Sequence, residues 1–210
     1  MTVRTLLNTL KATLSPSDAQ SIIEKLLGGS RTQLILRADE ELPDEQIREA
    51  LQMKARREQG EPIQYILGEE TFFGRSYRVG RGVLIPRDDT EVVVRECLRL
   101  IPENMPMRIL DLCAGSGIIA ITMKKERPLC EVCAVEKSKE AFSYLTQNIR
   151  RHHADVECIL SDLSDCAADF ADGFFDLIVS NPPYIQESSK RAASSPLRSE
   201  RIRTGISRRC

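Results

Sequence analysis

The sequence predicts an α/β protein: a parallel sheet wound with helices, preceded by a small α-helical domain and a β-hairpin linker. Three observations predict it. From Met107 on, short apolar runs alternate with helical stretches, a pattern that builds a parallel sheet with right-handed crossovers. A glycine turn, Gly115-Ser116-Gly117, follows the first of those runs and opens a helix. Ahead of Met107 lie capped helices and then an aromatic, partly alternating stretch. The 210 residues are 41% hydrophobic and 29% charged, which suits one or two globular domains and excludes a disordered chain. No run of about 18 uncharged apolar residues occurs, so no transmembrane helix is expected. The N-terminus lacks the apolar stretch and cleavage site of a secretory signal. Lys+Arg 30 against Asp+Glu 31 excludes a chain that is a polycation throughout. Seven irregularly spaced cysteines fit reduced thiols, and a cytoplasmic protein is expected.

The elements follow in order. Residues 1–60 read as a helical recognition domain. Ser15-Pro16-Ser17-Asp18 is a helix start, with a Ser cap, Pro at the first position and an acid behind it. Ile22, Ile23, Leu26 and Leu27 share a face, and Gly28-Gly29 ends the helix. Leu42-Pro43-Asp44 opens another, with Ile47, Leu51 and Lys54 stepping along it. Residues 61–90 read as the hairpin linker: Thr71 to Val79 alternates, Gly80-Arg81-Gly82 turns the chain, and Val83-Leu84-Ile85 precedes Pro86. Asp89 or Thr90 is expected to cap the next helix. Residues 91–186 hold strands at Met107–Leu112, Glu131–Glu136, Val156–Leu160 and Phe175–Ser180, with a helix capped by Ser138. Ligands of such sheets bind at the carboxyl ends of the strands. Asp111, Gly115, Gly117, Glu136, Asp162 and Asn181 all fall there.

The loop Gly115-x-Gly117-x-x-Ala120 fits a loose dinucleotide fingerprint, with Glu136 near the place of its ribose-binding acid. Asp111 argues for a different cofactor. A carboxylate there would repel a pyrophosphate but suits S-adenosylmethionine, which carries an ammonium and a sulfonium. Glu136 can accept from both hydroxyls of a ribose. Alternatively, Asp111 caps a helix and Glu136 is a solvated strand end; the loop alone does not choose. Asn181-Pro182-Pro183-Tyr184 adds chemistry. The prolines stiffen the loop and bare its carbonyls, and Asn181 offers one acceptor and two donors. Together they can grip a planar amide or exocyclic amine, with Tyr184 over its face, and hold the nitrogen in line for methyl transfer. Asn181, Pro182, Pro183 and Tyr184 are therefore the candidate catalytic residues.

Four ordered blocks resemble the release factor glutamine methyltransferases (HemK/PrmC type). They are Pro62-Ile63-Gln64-Tyr65-Ile66-Leu67-Gly68, Val83-Leu84-Ile85-Pro86-Arg87, Asp111-Leu112-Cys113-Ala114-Gly115-Ser116-Gly117 and Asn181-Pro182-Pro183-Tyr184. The resemblance implies a Rossmann-like class I S-adenosylmethionine-dependent methyltransferase. Its implied reaction is methylation of the side-chain amide N5 of the glutamine in the Gly-Gly-Gln motif of class 1 peptide-chain release factors. It implies cofactor contact by Cys113, Ala114, Gly115, Ser116, Gly117, Glu136 and Leu163. Asp111, Asp162 and Asn181 complete the candidate cofactor set. Asn181 to Tyr184 would hold the substrate glutamine, and the N-terminal helices and hairpin would help recognise the release factor. A monomer without membrane or direct nucleic-acid partner is expected. The other readings are an inactive remnant of such an enzyme and a nucleic-acid exocyclic-amine methyltransferase.

Two departures stand out. Leu163 occupies a place where the family commonly has an aromatic beside the adenine. A complete sheet of this class has seven strands, and this chain offers four, ending on an unprotected edge. Residues 187–210 hold seven Lys/Arg against two acids, giving a +5 tail on a −6 body. Codon degeneracy lets Leu197–Gly205 be read one nucleotide later as Ser-Glu-Val-Ser-Glu-Tyr-Glu-Pro, close to a family block. The tail is therefore expected to be a frameshift product, its rival being a disordered basic tail that binds RNA. Smaller features take structural readings. Cys130 and Cys133 lack a second pair, His152-His153 form a helix end, Phe72 and Phe73 are core residues, and Lys54 to Arg57 is a solvated helix face.

Overall fold

The computed structural model describes residues 1–29, 31–166, 170–171 and 173–182. Pro183, Tyr184 and the basic tail, with the frameshift reading attached to it, lie outside the described residues. The chain divides into two units, Met1–Glu69 and Glu70 onward. Among the described residues no helix is long and apolar enough to cross a membrane.

The first unit is helical: α1 (Val3–Lys11), α2 (Pro16–Leu27), α3 (Arg31–Leu36), α4 (Asp44–Glu58) and α5 (Ile63–Leu67). Ser15 caps α2, accepting from Asp18 N–H at 3.1 Å, and Gly28 ends it at φ 66°. Leu6, Leu10, Ile22, Ile23, Ala50 and Met53 form its core. The buried face of α4 is thus Ile47, Ala50 and Met53, and Leu51 is exposed. The spacing through Leu51 and Lys54 is corrected: Ala50 is fully buried and the larger Leu51 turns outward. Nor is Lys54–Arg57 a bare solvated face. Lys54 pairs with Glu58, Arg56 with Glu61, and Arg57 with Asp18 at 2.9 Å.

The second unit begins with the hairpin β1 (Glu69–Phe72) and β2 (Arg75–Arg78). Its turn is Phe73-Gly74, both at positive φ (51° and 72°), the two-residue loop whose twist suits a hairpin. The chain does turn at Gly80–Gly82, where Val83 N–H donates to Gly80 O at 3.3 Å, but that is not the hairpin turn, and Val83–Ile85 forms no strand. The hairpin is sewn to the α/β body. Tyr77 is buried with its hydroxyl 2.8 Å from Thr122, Arg75 pairs with Glu126 at 2.7 Å, and Phe73 N–H donates to Glu91 at 2.9 Å.

There follow α6 (Asp88–Leu100), β3 (Arg108–Leu112), α7 (Ile118–Glu126), β4 (Glu131–Glu136), α8 (Lys139–Arg151), β5 (Val156–Leu160), α9 (Leu163–Cys166) and β6 (Leu177–Ser180). The expected parallel sheet is present, with order β5-β4-β3-β6. Ile109, Val132, Ala134, Leu177 and Val179 belong to one core with residues of α6, α7 and α8. Leu110, Cys133 and Val135 alternate with them and form a second, smaller cluster with Phe170 and Phe175. Cys130 and Cys133 fall in different clusters. The chain runs outward from β3 through β4 to β5, then returns to lay β6 on the other side of β3. Strand order reverses between β3 and β6, the switch point at which the carboxyl ends of such sheets bind ligands.

Candidate functional site

The β3–α7 loop, Cys113 to Gly117, lies at that switch point. Cys113, Gly115 and Gly117 all take positive φ (60°, 57° and 82°). Glycine adopts this freely, while Cys113 carries roughly 1–2 kcal/mol of strain. Ala114 N–H donates to Val135 O at 3.0 Å, and Gly117 N–H closes the turn on Ala114 O at 2.8 Å. A Cβ on Gly117 would sit 2.4 Å from Leu145 Cδ1, whereas one on Gly115 would meet nothing within 4 Å. One side of the loop is packed and the other is open. Burial pushes the Cys113 thiol up, partly offset by a hydrogen bond with Ser180.

The acids do different work. Asp111 is 0% exposed, so no part of it is open to a ligand. Its place in the cofactor set is corrected accordingly: it acts through the loop and helix. One oxygen accepts from Ala120 N–H at 3.0 Å, capping the first turn of α7, while buried Oδ1 has no partner. Gly117, the residue before α7, has no side chain to do this. Burial raises the Asp111 carboxyl to about 7, the Ala120 bond opposing and Glu136 adding to it. Glu136 is nearly buried, not a solvated strand end. Its oxygens accept from Gly115 N–H and Ser138 N–H, both at 2.8 Å. A carboxylate has about four acceptor positions, so two remain for a ligand. Asp162 follows β5 and pairs with Lys137 at 2.5 Å, and Leu163 beside it is exposed.

β6 delivers the remaining residues. Ser180 Oγ donates to Leu112 O at 2.9 Å, fixing the end of β6 against the end of β3. Asn181 and Pro182 follow at once, half-buried. Asn181 Nδ2 donates to Thr90 Oγ1 at 3.2 Å. Thr90 was expected as a cap, but the residue before α6 is Arg87, and Thr90 lies inside the first turn, buried. The structure thus gathers Asp111, Cys113 to Gly117, Glu136 and Asn181 around the ends of β3, β4 and β6.

Sequence reasoning misses what two residues of this region bond: it reads Thr90 only as a helix cap and does not single out Asn148. Asn148 is fully buried on the face of α8 that carries Ala141 and Leu145. It accepts from Arg78 N–H at 2.7 Å and donates to Arg78 O at 3.0 Å and Ser116 O at 2.8 Å. It ties the hairpin to the glycine loop. The signal was a polar residue at an apolar position, but its partner lies 70 residues away.

Residues 4–68 match a family described as the PrmC N-terminal domain, and residues 93–197 match the methyltransferase small domain. The chain is 36% identical over 199 residues to the release factor glutamine methyltransferase of Escherichia coli, covering 94% of this chain and 71% of that one. The protein of the same name from Geobacter sulfurreducens is 36% identical, with 90% and 65% covered. That from Koribacter versatilis is 41% identical, with 85% and 64% covered. The chain thus spans about two thirds of the length of these relatives.

Proposed function

Because this chain belongs to the release factor glutamine methyltransferase family, we propose that it methylates a glutamine side chain of a release factor. The methyl of S-adenosylmethionine goes to N5 of the glutamine in the Gly-Gly-Gln motif of class 1 peptide-chain release factors. The observation that carries this reading is Asn181-Pro182 at the carboxyl end of β6, beside the glycine loop at the switch point.

The residues fit the cofactor. Glu136 keeps acceptor positions for ribose hydroxyls, and the open side of Gly115 leaves room for close approach. Cys113 to Gly117, Glu136, Asp162 and Leu163 would hold the cofactor, Asp111 holds the α7 turn behind them, and Asn181, a candidate for both sets, is read here as a substrate residue. When bound, S-adenosylmethionine supplies an activated methyl group. Asn181 Oδ1 and the Pro182 carbonyl accept the N–H bonds of the substrate amide and aim its nitrogen lone pair. Pro183 and Tyr184 extend that grip in this reading. A strong general base is unnecessary, because the amide proton becomes acidic once the nitrogen is alkylated and leaves to water.

The test supplies the full chain with radiolabelled S-adenosylmethionine and a Gly-Gly-Gln peptide. Label should enter the peptide, vanish when its Gln is replaced by Glu, and emerge as methylamine on acid hydrolysis. Transfer to RNA and not to the peptide would overturn the substrate assignment.

A further inference from the structure

We propose that Thr90 is a positioning residue for the reaction: its hydroxyl sets which way the Asn181 amide faces. This rests on reading Asn181 as the group that holds the substrate glutamine. A primary amide substrate offers N–H donors, so Asn181 must turn its oxygen toward it. A half-turn of the Asn181 side chain would present N–H to N–H. An Asn side chain has no intrinsic preference between the two faces, so something outside it must choose.

The backbone of Asn181 is already fixed, because the Ser180 bond to Leu112 O clamps the end of β6 to β3. The side chain is fixed by Thr90, whose Oγ1 takes the Nδ2 hydrogen at 3.2 Å. Among the described residues Asn181 Oδ1 makes no hydrogen bond, so the acceptor is left for the substrate. Thr90 is suited to the task. It is 4% exposed and lies on the buried face of α6 with Val94 and Cys97, both apolar. A hydroxyl on that stripe needs a partner, since leaving it unpaired is unfavourable. Its β-branched side chain is stiff in a helix. Its N–H is bonded to Arg87 O at 3.0 Å, anchoring it in the first turn. Thr90 and Asn181 are 91 residues apart in sequence, so the contact joins two segments that each bear on the switch point.

The test compares Thr90→Val, which keeps the shape and removes the hydroxyl, with Thr90→Ser, which keeps the hydroxyl. Methyl transfer to a Gly-Gly-Gln peptide should fall about tenfold in kcat/KM for T90V, the scale of one orienting hydrogen bond. T90S should stay within about threefold of the parent. Binding of S-adenosylhomocysteine should change less than about twofold in either. A second readout needs no turnover. In a nitrogen-15 spectrum the side-chain amide pair that disappears in Asn181→Ala belongs to Asn181. That pair should move in T90V and hold in T90S. A stationary pair in T90V overturns the proposal. So does a loss of cofactor affinity matching the loss of turnover, which would make Thr90 a cofactor residue. If the parent binds S-adenosylhomocysteine but methylates no glutamine peptide, the reading of function fails, and the amide resonances still judge Thr90.

Discussion

Replacing Asp111 with Asn should make the protein more stable at neutral pH and less dependent on pH. Asp111 is fully buried, with Oδ2 on Ala120 N–H and Oδ1 unpaired. Its carboxyl is raised from 3.8 to about 7, chiefly by burial. The folded state therefore binds the proton more tightly than the unfolded chain. Below about pH 4 both states are protonated and Asp111 costs nothing. As pH rises from about 4 to 7 the unfolded state ionises first, and stability falls; above 7 the loss is complete. A separation of about three pH units at about 1.4 kcal/mol each sets an upper scale on the order of 4 kcal/mol. Asn keeps an oxygen for Ala120 N–H and carries no charge to bury. D111N and the parent should have similar stability near pH 4, and D111N should pull ahead by about 2–4 kcal/mol at pH 8. Urea unfolding at intervals between those values measures the difference, and subtraction cancels the other carboxylates. Parallel curves would refute the reasoning and mean that Asp111 is solvated or paired in a way the structure does not contain.

Three further outcomes are expected. Gly117→Ala should destabilise the protein by about 2–5 kcal/mol, since it adds left-handed strain to the overlap with Leu145, while Gly115→Ala should cost only about 1–2 kcal/mol; equal losses in urea unfolding would contradict the packing. Asn148→Leu should cost about 2–4 kcal/mol by leaving the Arg78 N–H, Arg78 O and Ser116 O without partners, and the same melts should register it. Asn181→Ala should abolish methyl transfer and leave S-adenosylhomocysteine affinity within about threefold, as titration calorimetry would read it; comparable loss of both would remove the division between cofactor and substrate residues.

The α/β fold was legible because each strand is a short apolar run closed by a polar residue at its carboxyl end. Asp111 and Glu136 could be found that way, and helix capping by Asp111 was one of the two readings the sequence left open. Asp111 lies behind the loop, and the nearest partners of Glu136 are backbone N–H groups, which no side-chain pattern announces. The hairpin turn was misplaced because Phe73 occupies a positive-φ site usually given to Gly, Asn or Asp, while Gly80 and Gly82 drew attention instead. Thr90 and Asn148 were invisible as functional residues for a common reason. Each is a single polar group on a buried helix face, and what it bonds lies 91 or at least 32 residues away.

Those long-range bonds carry the consequence that matters for activity. Asn148 holds both β2 and the glycine loop, so a force that shifts the hairpin is passed to Ser116 through one side chain. Thr90 does the same from α6 to Asn181, and Glu91 next to it holds Phe73 of the hairpin turn. The hairpin is therefore linked to the glycine loop through Asn148 and to Asn181 through α6. If the release factor docks on the hairpin, both reacting groups can respond to that docking. A variant that loosens the hairpin, such as Glu91→Ala, should then lower turnover on an intact release factor more than on a short Gly-Gly-Gln peptide. Equal losses on the two substrates would confine the hairpin to holding the fold.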